Sequence, residues 1–349
     1  MRKIFLYLVI SFLIVLNVKS QNIDENFVVA DNQEAELEFN KGIEKYNIGN
    51  FEDAIVAYTN AIKHKNNFYQ AFYNRANANV ELKKYKEAIN DYNEAIKLKP
   101  KYDKAFFSRG LVKLYTNDFA NAKLDIENAI NYGLIDAKVY YYLGVVKFML
   151  NDYQGALKEF SEAIRIDKEY AYAYNDRASV KMILKNYDGA ILDYRKALSI
   201  NPKLYIAYNS MGNAKKELKD LNGAIDEYTN ALKIDANYFI AYNNRAIVYT
   251  EKEKYEEAIN DLEKAIKLNP KYKFAYNSLG IVFMKQKKYE DALNNFNKAI
   301  SIDNNYNQAY ANRGNAKEML RDFEGACQDW NKAIELGVEN PELFKKGCN

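Results

Sequence analysis

The unit from which this chain is built is Ala171–Pro202, AYAYNDRASVKMILKNYDGAILDYRKALSINP. Its central alanine, Ala190, returns every 34 residues without insertion or deletion, as Ala54, Ala88, Ala122, Ala156, Ala190, Ala224, Ala258, Ala292 and Ala326. Setting this alanine at position 20 gives nine repeats: 35–68, 69–102, 103–136, 137–170, 171–204, 205–238, 239–272, 273–306 and 307–340. Position 8 is then always glycine or alanine, from Gly42 to Gly314, and position 27 is always alanine, from Ala61 to Ala333. Position 17 is aromatic in every copy except the one carrying Leu221, and position 24 is aromatic or aliphatic throughout.

Small residues at 8 and 20 let two antiparallel helices approach closely, while large apolar residues at 4, 17 and 24 fill the space beside them. The alanine at 27 leaves room for the first helix of the next unit. No single unit can bury its apolar stripe, so the units stack and each rests mainly on its neighbours. Pro100, Pro202 and Pro270 all fall at position 32, just past a second helix, where a missing N–H ends a helix without breaking one.

This period and residue pattern resembles the tetratricopeptide repeat, a helix-turn-helix unit of 34 residues. The resemblance covers nearly the whole chain. It implies an all-α, right-handed superhelical solenoid of antiparallel helix pairs, in which first helices line a concave face and positions 2, 5, 9, 12 and 13 point inward. It also implies a non-enzymatic module whose partner is a protein or peptide segment.

The ends differ from the repeats. Arg2 and Lys3 precede an apolar run from Ile4 to Leu16, and Val18-Lys19-Ser20 precedes Gln21. Residues 1–20 read as a secretory signal peptide cleaved near Ser20, because the run is shorter than the ~20 residues a spanning helix needs. A periplasmic or secreted location is therefore expected, without membrane insertion after cleavage. Residues 21–34 read as a flexible lead-in. Repeat one is atypical, with Glu38 at position 4 and Lys41 at position 7, as suits a terminal unit facing water. Residues 341–349 continue the register into a short C-terminal cap, with Phe344 at position 4.

Arg2, Lys3 and Lys19 all lie in the leader, so the mature chain carries 47 Lys and Arg against 47 Asp and Glu. That balance does not call for nucleic acid or an anionic membrane as partner. High charge of both signs reads as solvated helix faces.

Within the repeats, position 7 is arginine in five copies (Arg75, Arg109, Arg177, Arg245, Arg313), and position 23 is aspartate in the same five (Asp91, Asp125, Asp193, Asp261, Asp329). The copies without arginine carry Ala57, Glu159, Glu227 or Asn295 at position 23. An arginine fork suits a carboxylate, so each pair is expected to bridge its two helices; shared descent of the copies is the alternative.

Little in the sequence points to reaction chemistry. The one histidine, His64, stands at position 30, where most other copies carry Leu or Ile, and is expected to pack at a helix end. No zinc site is read from two cysteines and so isolated a histidine. No strand pattern or glycine-rich phosphate loop is visible. No catalytic, metal or cofactor site is assigned. Cys327 and Cys348 are permitted a disulfide by export, but positions 21 and 8 of the next unit are expected to lie too far apart along the helices, leaving two thiols.

Binding is left, and the inward positions divide the groove. Repeats three and four supply Phe107, Leu111, Leu114, Tyr115, Tyr141, Val145, Phe148 and Met149, continued by Met182 and Ile183 in repeat five. A contiguous exposed apolar patch marks a partner site; the alternative is that these residues pack on each other. Repeats five to eight instead repeat an asparagine at position 5: Asn175, Asn209, Asn243 and Asn277. A row of amides can hold an extended peptide backbone, each offering a donor and an acceptor. This is similar to the asparagine ladder of O-linked N-acetylglucosamine transferases, although there the residue is at position 6, which here has only Asn40, Asn74, Asn244 and Asn312. A solvated lining without ligand is the alternative. The carboxylate clamp of heat-shock co-chaperones asks for lysine at position 5, and no copy has it. Two functional readings follow: an adaptor holding a peptide in its groove, or a scaffold in an envelope or secretory assembly that meets folded partners through outer or terminal surfaces.

Overall fold

The computed structural model describes residues 33–338 and Cys348. The leader, the lead-in as far as residue 32, and the C-terminal cap apart from Cys348 lie outside the described residues. Every element described is an α-helix. The chain divides into two units, Met1–Ala173 and Tyr174–Asn349. The first holds α1 (Gln33–Asn47), α2 (Phe51–His64), α3 (Tyr69–Glu81), α4 (Tyr85–Leu98), α5 (Asp103–Tyr115), α6 (Phe119–Asn131), α7 (Ala137–Met149) and α8 (Tyr153–Ile166). The division falls inside α9 (Ala171–Ile183). The second continues with α10 (Tyr187–Ile200), α11 (Tyr205–Glu217), α12 (Leu221–Ile234), α13 (Phe239–Glu251), α14 (Tyr255–Leu268), α15 (Lys273–Lys285), α16 (Tyr289–Ile302), α17 (Asn307–Met319) and α18 (Phe323–Glu335).

Each second helix starts at a polar residue in position 16. Asn50, Asp118, Asp152, Asn186, Asp220 and Asp322 accept a hydrogen bond from the backbone N–H three residues on, satisfying a donor that the first turn leaves open. The residue before the cap, at position 15, is left-handed in all nine turns. Only one is glycine (Gly49, φ 79°), whereas Lys83, Lys185, Lys219, Glu253, Lys287 and Arg321 adopt φ between 58° and 66°. These residues bear a steric cost that glycine would not.

Within a pair, the helices close on the small positions. Every alanine at position 20, from Ala54 to Ala326, is inaccessible to solvent. At position 8 the approach is closer still: a Cβ on Gly144 would stand 2.7 Å from Phe160 Cε1, and one on Gly280 would stand 2.5 Å from Phe296 Cε1. Alanine is accommodated at position 8 in other copies, as where Ala246 packs in one cluster with Leu262. Between pairs, a second helix packs on the next first helix. Ile191 and Leu198 of α10 meet Ala207, Met211 and Ala214 of α11, and Ile259 of α14 joins Ala275, Leu279 and Val282 of α15.

Inside each unit, successive first helices also touch: α1 with α3, α3 with α5 and α5 with α7 in the first, and α11, α13, α15 and α17 in series in the second. This places the first helices on the tighter side of each stack, so their side chains compete for space between packing on one another and facing solvent.

Candidate functional site

That competition decides the fate of the apolar candidates in the first unit. Phe107, Leu111, Val145 and Phe148 are buried, at 1%, 5%, 0% and 8% exposure, together with Leu114. Phe107 meets Tyr142 of the next first helix, ring centroids 6.0 Å apart, and with these five side chains buried the expected open apolar patch is corrected at Phe107, Leu111, Leu114, Val145 and Phe148. Tyr115 stays exposed beside Tyr85, with ring centroids 4.8 Å apart. Tyr141 is half-buried against Tyr142, Phe160 and Tyr170, and Met149 is half-buried.

Three of the four asparagines of the second unit meet the same fate. Asn209, Asn243 and Asn277 are buried. Asn244 Nδ2 donates to Asn209 Oδ1 at 3.0 Å, and Asn312 Nδ2 donates to Asn277 Oδ1 at 2.9 Å. Position 5 of one repeat is thus joined to position 6 of the next, 35 residues on. Tyr73 and Ser108 make the same join in the first unit, hydroxyl to hydroxyl at 3.3 Å. The half-buried Asn175 donates to Asp176 Oδ1 at 2.9 Å. The expected row of solvent-facing amides is therefore corrected at Asn209 and Asn277, which are bonded to the next first helix, and at Asn243, which is buried, whereas Asn175 is half-buried. The 35-residue spacing of Asn209 to Asn244 and of Asn277 to Asn312 was the signal available in the sequence.

Position 9 follows a second rule. Where position 24 carries a polar tip, position 9 supplies its partner: Tyr92 donates to Asn77 Oδ1 at 2.6 Å, Tyr228 to Asn213 Oδ1 at 2.7 Å and Trp330 Nε1 to Asn315 Oδ1 at 3.0 Å. Tyr194 and Ser179 share their hydroxyls at 3.2 Å. Where position 24 is Ile126, Phe160, Leu262 or Phe296, position 9 is Leu111, Val145, Ile247 or Ile281. Repeat one, with Ile43 and Tyr58, departs from the rule. Burial pushes the Tyr92, Tyr194 and Tyr228 phenols well above their usual range.

The first-helix face of the second unit is left with a different apolar set. Ile247 is exposed at 38%, and Ile206, Ile240, Phe274 and Ile281 are half-buried. They occupy positions 2 and 9.

All five arginine–aspartate pairs are two-pronged. Nε and Nη2 reach the two carboxylate oxygens at 2.9 and 2.6 Å for Arg75–Asp91, 2.8 and 2.6 Å for Arg109–Asp125, and 2.8 and 2.7 Å for Arg177–Asp193. The distances are 2.7 and 2.8 Å for Arg245–Asp261 and 2.8 and 2.5 Å for Arg313–Asp329. Nη1 then reaches back to the preceding repeat: Arg75 to Thr59, Arg109 to Asn93, Arg245 to Thr229 and Arg313 to Asn297. Each of these four arginines therefore ties three helices. Position 11 adds a second cation, Lys113 to Asp125 at 2.7 Å, Lys181 to Asp193 at 2.6 Å and Lys317 to Asp329 at 2.9 Å. Where arginine is missing, the longer Glu159 and Glu227 reach Lys147 and Lys215 at 2.7 and 2.5 Å. In the sequence, glutamate at 23 is accompanied by lysine at 11 in both Lys147/Glu159 and Lys215/Glu227.

His64 ends α2 with Nδ1 3.0 Å from Glu34 Oε2, both side chains reaching solvent. Cys327 and Cys348 are bonded, with Cα atoms 5.4 Å apart. The expected separation is corrected: residues one helix apart in the sequence register meet side by side at the end of the second unit. Among the described residues no group of three or more His, Cys, Asp or Glu could hold a metal ion, and no helix is long and apolar enough to cross a membrane.

Sequence profiles described as TPR repeat match residues 76–114, 212–252 and 247–287, and those described as Tetratricopeptide repeat match 137–170, 171–204 and 274–306. Comparison with curated proteins returns no match. Among solved structures, a tetratricopeptide repeat protein from Parabacteroides merdae is 19% identical over 70% of this chain and 97% of its own, with a TM-score of 0.60. The Cut9–Hcn1 hetero-tetramer of the APC/C is 14% identical over 90% of this chain and 76% of that one, with a TM-score of 0.59. At these identities the likeness is one of fold. With more than half of its length matched by these profiles and its helices paired in a 34-residue register, the chain belongs to the tetratricopeptide repeat family, a family of protein–protein interaction modules.

Proposed function

We propose that the protein is a non-enzymatic adaptor that holds a segment of a protein partner against the first-helix face of its second unit. The observation that carries this reading is the apolar set Ile206, Ile240, Phe274, Ile247 and Ile281, with Ile247 the most exposed residue among them. Isoleucines on two positions of successive helices offer shallow apolar contact without a dedicated polar reader, which suits an apolar or amphipathic segment over an acidic tail. The buried Asn209 and Asn277, bonded to the next first helix, hold this face in shape and do not touch the ligand. We place the mature chain outside the reducing cytosol; the Cys327–Cys348 disulfide and the apolar run at Ile4–Leu16 both support that location.

The scaffold reading has its own support. Val56, Leu124 and Leu192 stand at position 22 of second helices, and Leu192 is 65% exposed. The two readings are separated by a photo-crosslinking amino acid placed at Ile247 or at Leu192 in the native host. Partner adducts from position 247 and none from 192 support the adaptor; the reverse supports the scaffold and ends the groove proposal.

A further inference from the structure

Several junctions between repeats seat a lysine on an aromatic ring. In repeat two, Lys99 Nζ stands 4.7 Å from the Tyr69 ring centroid and 4.6 Å from that of Tyr102, and the two rings meet edge to face at 5.2 Å. In repeat one, Lys65 Nζ is 5.1 Å from the Phe68 centroid. In repeat eight, Lys273 Nζ is 4.9 Å from the Tyr306 centroid and donates to Asp303 Oδ2. The ring is at position 34 each time, and the lysine is at position 31 or position 1. The ring face attracts the cation.

Repeat six has the rings and an acid but no lysine at these positions: Tyr205 at 1, Asp235 at 31 and Tyr238 at 34, a combination found in no other repeat. Tyr205 and Tyr238 meet edge to face with centroids 4.9 Å apart, as Tyr69 and Tyr102 do. Asp235 Oδ1 accepts from the Asn237 N–H at 2.9 Å, just as Asp303 Oδ1 accepts from the Asn305 N–H at 3.0 Å. In Asp303 the second oxygen takes Lys273, whereas among the described residues no lysine or arginine pairs with Asp235. The Tyr238 hydroxyl, in a residue only 8% exposed, has no hydrogen-bond partner among the described residues. Tyr205 and Asp235 are half-buried, which leaves the site open to solvent. Burial, and after it the charge of Asp235, holds the Tyr205 phenol above its ordinary range, as an acid close to that ring must.

We propose that Tyr205, Asp235 and Tyr238 form a receptor for an ammonium group from outside the chain, the head of a partner's lysine side chain. The ammonium rests on the rings as Lys99 does in repeat two, and donates to the second Asp235 oxygen as Lys273 does to Asp303 in repeat eight. A primary ammonium fits better than a quaternary one, which has no N–H to give the carboxylate. Ile206 and Ile240 pack in the same cluster as Tyr238, so the lysine sits beside the apolar set. That it belongs to the segment held there rests on the adaptor reading; the receptor itself does not.

The test is a nuclear magnetic resonance titration of the full chain, isotope-labelled at its tyrosine rings, with n-butylammonium chloride at constant ionic strength. The Tyr205 and Tyr238 signals, assigned with Tyr→Phe variants, should shift together and saturate. Asp235→Asn should weaken binding about tenfold, the loss of one charged hydrogen bond. It should keep the turn, because Asn201 and Asn269 accept the same backbone bond at position 31, each at 3.1 Å. Tyr205→Lys, which copies repeat eight, should abolish binding by filling the site with the chain's own ammonium. Tetramethylammonium should bind at least about fivefold more weakly. No saturable shift at Tyr238, an unchanged affinity in Asp235→Asn, or equal binding of tetramethylammonium overturns the proposal. Should Tyr205→Lys not fold, the Asp235→Asn comparison decides. Failure of the adaptor reading would appear in the crosslinks from position 247 and would leave these titrations unchanged.

Discussion

Replacing Arg245 by alanine is the sharpest test of how these repeats are coupled. Its guanidinium is 2.7 and 2.8 Å from the two Asp261 oxygens and 2.9 Å from Thr229 Oγ1. The Asp261 side chain is only 10% exposed, and among the described residues no lysine pairs with it, position 11 here being Tyr249. Removing the arginine strands a shielded carboxylate, which costs about 3–5 kcal/mol, and also cuts a neutral bond worth about 0.5–1.5 kcal/mol. Asp261→Ala should cost less, since Arg245 can turn toward water. The double variant should cost less than the sum, with a coupling of at least about 2 kcal/mol. The assay is urea unfolding by circular dichroism, joined to hydrogen exchange in α13 and α14 and in α12, which carries Thr229. The loss should spread to α12, because Nη1 crosses to it. An Arg245→Ala change within about 0.5 kcal/mol of wild type, the range of an ordinary surface substitution, or an additive cycle, refutes the reasoning.

Lys185→Gly should stabilise the second unit by about 0.5–1 kcal/mol, because Lys185 holds φ at 60° where only glycine is free of the Cβ clash; a lower urea midpoint contradicts this. Stability should also fall with rising pH in the alkaline range: the unfolded chain releases its tyrosine protons near pH 10, whereas burial keeps those of Tyr92, Tyr194 and Tyr228 in place, so each removes about 1.4 kcal/mol per pH unit above about 10. Urea midpoints at pH 9 and 11 that coincide would show that these phenols ionise freely in the fold.

Much of this was readable in one dimension. A 34-residue period with small residues at positions 8, 20 and 27 leaves few alternatives to stacked helix pairs, because close approach is possible only where side chains are small. The pairing of arginine at 7 with aspartate at 23 was visible as a correlation, since both residues belong to one unit. The site was harder to read. The family pattern turns positions 5, 9 and 12 to an open face, yet Phe107, Val145 and Asn277 are buried. Whether such a position meets water depends on how closely the next first helix approaches, and that distance is a property of the stack.

The sequence by itself determined the unit, its number and its helical character, because each rests on local spacing and on residue size. Tertiary structure alone decided which inward side chains reach solvent, that Ile247 remains open while Asn209 is riveted to Asn244, and that Cys327 meets Cys348. These depend on contacts between residues about 20 to 35 apart in the chain, and such contacts are set by how helices settle against each other to fill space.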